Sequence, residues 1–141
     1  MKRSINRAAA ALTVAISLAG PAPAHDAERE SVTPKFAHAL ANIPGKSKRV
    51  VEVDYAPGAS SLPHTHAPSA FIYAYVLSGE VESKVNDGET RRYKAGESWF
   101  EEPGAFHRIT RNASRKAPAR LLVVFIAEAG ESELVRPAGI R

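Results

Sequence analysis

The 141-residue chain carries nineteen basic and fifteen acidic residues, a formal net charge of +4, and no cysteine. Lys2, Arg3 and Arg7 fall in an N-terminal segment free of acidic residues, and residues 25–141 hold sixteen basic against fifteen acidic residues. That balance excludes a nucleic-acid-binding surface, which needs a positive face. Without cysteine an exported domain is held by its core, or by its core and a metal.

Residues 1–24 read as a signal peptide: a charged start, an apolar run from Ala8 to Gly20, then Pro21-Ala22-Pro23-Ala24 with small residues at a cleavage site. The run falls short of the ~20 residues that span a bilayer. The expectation is cleavage after Ala24 and a periplasmic or secreted protein with no remaining membrane attachment. Residues 25–141 suffice for one domain.

Residues 25–35 (HDAERESVTPK) are polar and read as a loose arm. His25 would become the new N-terminus, and a copper-chelating amine and imidazole there are read as incidental. His38, in the ambiguous Phe36-Ala37-His38-Ala39-Leu40, is read as a strand residue. Val51-Glu52-Val53-Asp54-Tyr55 alternates as on a strand with one buried face. Val81, Ser83 and Val85 alternate with Glu80, Glu82 and Lys84 in the same way. Phe71 to Leu77 and Leu121 to Ala127 are continuous apolar runs, which suit strands covered on both faces.

Turn signals separate these runs at Pro57-Gly58, Ser78-Gly79, Asn86-Asp87-Gly88, Ala95-Gly96 and Pro103-Gly104. Asn86-Asp87-Gly88 reads as a hairpin turn. Short strands at this rhythm predict an all-β sandwich or barrel. The tail after Gly130 has apolar residues suited to packing on the barrel or on a second subunit.

His64 and His66 flank one threonine, and His107 follows forty-one residues after His66. Side chains at i and i+2 on a strand share a face. On a helix they would diverge by about 200°. Two imidazoles on one strand face, with a third from a partner strand, present one side of a metal's coordination sphere.

These residues lie in a frame that resembles the cupins, small double-stranded β-helices related to jelly rolls. Gly58, His64, His66 and Gly79 match the first cupin motif, and Gly96, Gly104 and His107 match the second. Pro103 and Asn112 each stand one place late. The resemblance covers residues 36–128, leaving 129–141 as a C-terminal tail. It implies a jelly-roll-like barrel, a divalent metal ion held by His64, His66 and His107, and a homodimer.

One part of the pattern is missing. The first motif ordinarily adds a glutamate, but its position falls on Ala70 or Phe71 counted from His66, and on Ile72 counted from Gly79. No carboxylate lies between His66 and Gly79, and the interval is one residue too long. Glu101 and Glu102 are candidates to reach the site, and Tyr73 is another if the extra residue forms a bulge. All three are candidate proton-transfer groups. Three neutral imidazoles leave a divalent ion near +2, which favours a small anionic ligand. Imidazole ligation is compatible with Fe, Mn, Ni, Cu or Zn.

The functional expectation is an exported cupin with a three-histidine metal site, a pocket for a small anionic molecule, and oxygenase-type chemistry of the kind some cupins perform. The alternatives are a non-catalytic periplasmic ligand-binding or metal-sensing module, and a metal-free structural cupin. Arg108, Arg111, Arg115, Lys116 and Arg120 form a local basic cluster that reads as a solvated rim, or as a contact for an anionic ligand.

Overall fold

The computed structural model describes residues 29–139. Residues 1–24, read as a signal peptide, and the first residues of the arm, 25–28, lie outside the described residues. Ten strands are present among the described residues: β1 (Glu30–Ala39), β2 (Lys46–Tyr55), β3 (His64–His66), β4 (Phe71–Ser78), β5 (Glu80–Val85), β6 (Arg91–Lys94), β7 (Ser98–Glu101), β8 (Phe106–Asn112), β9 (Ala119–Glu128) and β10 (Val135–Pro137). They form two five-stranded antiparallel sheets, ordered β1-β2-β9-β4-β7 and β10-β3-β8-β5-β6. The all-β expectation holds, and the two inner faces enclose the core.

Period-2 alternation produces this arrangement. On β9, Leu121, Val123, Phe125 and Ala127 are buried, and the residues between them are not. On β4, Ile72, Ala74 and Val76 are buried, while Tyr73 and Leu77 are exposed on the other face. The expectation that both runs are covered on both faces is therefore corrected. Antiparallel sheets commonly bury one face and leave the other in water, and here that outer face is apolar.

Two boundaries also change. The stretch read as a loose arm enters β1 at Glu30, where Ser31 to Pro34 pair with Asp54 to Val51 of β2. Its polar residues are those of an exposed edge strand, and His38 lies on the same strand. The tail contributes β10, which pairs with β3, and Leu134 packs against the core.

Gly79 lets β4 turn into β5. Its φ is +73°, and an added Cβ would sit 2.6 Å from the Pro118 carbonyl oxygen and 2.9 Å from Ala119. Only glycine fits both demands. Asn86, with φ of 50°, begins the expected turn between β5 and β6, and its side-chain oxygen accepts a hydrogen bond from the Phe106 amide at 2.8 Å.

Candidate metal centre

β3 is short, but both its histidines point inward with Thr65 between them facing out. β8 runs antiparallel beside it, and His64 and His107 are directly paired across the two strands. An i, i+2 pair and a cross-strand neighbour on one face bring three rings together. Each of His64, His66 and His107 has a nitrogen within 4.8 Å of the others'. All three lie almost wholly out of solvent.

The rings are held by their surroundings. His64 Nδ1 donates to the Leu62 carbonyl at 2.8 Å, which leaves Nε2 with its lone pair free. His107 Nε2 lies 2.8 Å from Ser83 Oγ and 2.7 Å from Thr110 Oγ1, so Nδ1 is its other available donor atom. Such outer partners fix tautomer and orientation at metal sites. Burial pushes the His64 imidazole below its usual value, partly offset by the Leu62 carbonyl. Burial pushes His107 down to about 4, against the opposing charge of Glu101. Both rings are therefore neutral near pH 7, the state a metal requires.

Glu101 comes from the opposite sheet. It is the last residue of β7, 2% exposed, with Oε2 3.1 Å from His66 Nε2 and Oε1 3.1 Å from His107 Nδ1. Trp99 Nε1 donates to Oε1 at 3.0 Å. Burial raises the carboxyl's pKa, but His66, His107 and the Trp99 N–H more than offset it and hold the group below the usual carboxylate range.

The other two candidates stand apart. Tyr73 is 40% exposed on the outer face of β4. The strand's register shift lies between Val76 and Ser78, too far along to turn Tyr73 inward. Glu102 is exposed in the turn after β7. Ser83, Thr110 and Trp99 are not marked as site residues by any sequence motif. The inward period of Val81-Ser83-Val85 was the available signal for the first, and the Trp99/Glu101 alternation for the last.

The three histidines and Glu101 open onto a cavity of about 390 Å³. Apolar residues such as Val53, Ile72 and Phe125 form most of its wall, with Tyr55, Ser61 and Thr110 adding hydroxyls and Glu30 a second carboxylate. Among the described residues no lysine or arginine lines it. The basic cluster faces elsewhere, with Arg108 paired to Asp87, Arg111 to Glu82 and Arg120 to Asp54.

The donor set fits a divalent ion. His66 Nδ1 is buried without a hydrogen-bond partner, and His66 Nε2 meets only Glu101 Oε2 at 3.1 Å, an arrangement that is costly unless something else engages these atoms.

Comparison with known proteins agrees with this architecture. The model of the cupin domain family matches residues 51–125, more than half of the chain. Germin-like protein subfamily 2 member 2 of Arabidopsis thaliana is 38% identical over 90 residues, 59% of this chain and 40% of that relative. The chain thus spans less than half the length of the curated relative it matches. TT1209 from Thermus thermophilus superposes with a TM-score of 0.56 at 31% identity, over 72% of this chain and 85% of that one. A conserved protein with a double-stranded β-helix domain from Klebsiella pneumoniae subsp. pneumoniae gives a TM-score of 0.59 at 20% identity, over 84% and 90% of the two chains. With both motifs placed on one barrel and the family model matched across it, this chain belongs to the cupin family.

Proposed function

We propose that this cupin binds one divalent metal ion through His64, His66 and His107 and receives a small molecule in the adjoining cavity. The observation that carries this reading is the cluster of three buried imidazoles, two held neutral, each with a nitrogen within 4.8 Å of the others', and with His66 Nδ1 left without a partner. An ion there supplies a Lewis acid and, if redox-active, an electron source for oxygenase-type chemistry. The protein's own residues define the ligand. The apolar wall excludes water and favours a compact apolar body, and the absence of lysine and arginine from the described lining residues leaves the ion as the attraction for an anionic oxygen. The ligand is thus a small molecule with one anionic oxygen donor at the histidine end and hydroxyl contacts to Tyr55, Ser61 or Thr110.

A non-catalytic binding or metal-sensing module is the second reading. It is favoured by the placement of Tyr73 and Glu102 outside the cavity, which reduces the expected proton-transfer groups to Glu101. Export through cleavage after Ala24 and a homodimer complete the proposal. The dimer is supported by the outer apolar face, where Tyr73, Leu77 and Phe100 are all exposed.

Metal analysis of protein purified after export tests the central claim. The expected result is one equivalent of a divalent ion, lost in His107→Ala while the barrel still folds. A metal-free protein indifferent to chelator and to added metal would overturn the reading. Oxygen uptake with small thiols, diketones and catechols then separates enzyme from binding module. Mass measurement of the exported chain checks the cleavage site.

A further inference from the structure

We infer that Glu101 is the anionic metal ligand of this centre, having taken over from the opposite strand the place that Ile72 leaves without a carboxylate. The inference rests on the proposed metal binding by the three histidines. Ile72 is the position that counting back from Gly79 assigns to the motif glutamate, and it faces the cavity. In the β4–β7 ladder its direct partner is Glu101. Residues paired across two strands project from the same face, about 4.5–5.5 Å apart at Cβ. A glutamate side chain easily covers that separation, so the same region of the cavity receives a carboxylate from either strand.

Two features mark Glu101 as a ligand. Its oxygens lie 3.1 Å from His66 Nε2 and 3.1 Å from His107 Nδ1. Atoms that share one ion at bonds of about 2.1 Å sit roughly 3.0–3.4 Å apart for angles between 90° and 109°. In addition, the charge has no other counterion. Glu101 is 2% exposed, no lysine or arginine among the described residues lines the cavity, and a buried carboxylate needs a cation nearby. Trp99 donates to Oε1, and each carboxylate oxygen faces one imidazole nitrogen. The centre then carries a charge near +1 in place of +2.

Cobalt(II) titration of the chelator-stripped full protein, read by visible absorption and by competition with a chelator, tests this. Glu101→Gln keeps the shape and is expected to weaken cobalt binding by at least about a hundredfold and to change the absorption envelope. The double substitution Ile72→Glu with Glu101→Ile returns a carboxylate from the facing strand and is expected to recover most of the affinity. Circular dichroism of each metal-free variant reports folding separately. Unchanged affinity and spectrum in Glu101→Gln would overturn the inference. Weaker binding with an unchanged spectrum would overturn it too, since that pattern belongs to a group orienting His107. If the wild-type protein binds no cobalt, the metal-site reading itself falls. If it binds and Glu101→Gln binds equally, only the assignment of Glu101 falls. Should the double variant not fold, Glu101→Gln decides alone.

Discussion

The Tyr55 hydroxyl lies 2.7 Å from Ser61 Oγ, which in turn donates to Glu30 Oε1 at 2.8 Å. Because a carboxylate only accepts, the Ser61 proton is committed to Glu30, and Tyr55 donates to Ser61. The chain of hydroxyls ties the start of β1 to the end of β2 along the cavity wall.

Burial, and then the charge of Glu30, push the Tyr55 phenol well above its usual value. The unfolded tyrosine ionises near pH 10, so above that pH the unfolded state binds fewer protons than the folded one. Its contribution to stability is therefore fully present below pH 10 and lost as pH rises beyond it. Tyr55→Phe should cost about 1 kcal/mol at pH 7 and make the alkaline decline shallower. Urea unfolding between pH 7 and 11 measures both effects, and an unchanged alkaline slope would count against the assignment.

Asn112, 4% exposed, sits one place late in its motif yet anchors the loop before β9. Its Nδ2 donates to the carbonyls of Ala56 and Ala117 at 3.1 and 2.8 Å, and its Oδ1 accepts from the Ser114 amide at 2.9 Å. Asn112→Ala strands these backbone groups, so a loss of roughly 2–3 kcal/mol is expected. Chemical denaturation measures it. Asn112→Asp should recover only the Ser114 bond.

Gly79→Ala meets both a positive φ and a carbonyl oxygen at 2.6 Å. The expected cost is above about 2 kcal/mol, read as a fall in the denaturation midpoint. Gly130→Ala, where nothing lies within 4 Å of the added carbon, should differ little from wild type.

Metal removal should lower the melting temperature, because an ion bound only by the folded state stabilises it by mass action. At a free concentration one hundred times Kd the gain is about 2.7 kcal/mol. Calorimetry with and without chelator reads the shift. His107→Ala should melt at one temperature regardless of added metal.

The histidine triad was legible because its spacing is geometric: i, i+2 fixes a strand face, and the second motif supplies the neighbouring strand. The barrel was legible from alternation and turn residues. Glu101 was visible as a candidate but could not be chosen, since its approach depends on the β4–β7 register, which no local pattern specifies. Tyr73 failed as an inward candidate because the bulge falls near Leu77, beyond its reach. The apolar runs misled for a related reason. An exposed apolar face and a doubly buried strand have the same composition, and only the packed sheets distinguish them. Residues 30–35 were misjudged because edge strands tolerate the polar residues that also make loose arms.

The three-residue β10 gives β3, the strand of His64 and His66, its second hydrogen-bonded neighbour, and its Val135 and Pro137 help wall the cavity. A short strand held along one edge opens at a free energy far below that of the whole fold. Loss of the β10–β3 pairing would therefore uncover one wall of the cavity while the β2–β9–β4 ladders stay paired. Residues 135–137 thus brace the strand that carries two histidines and form part of the wall beside them, so a change there reaches the site without touching an imidazole.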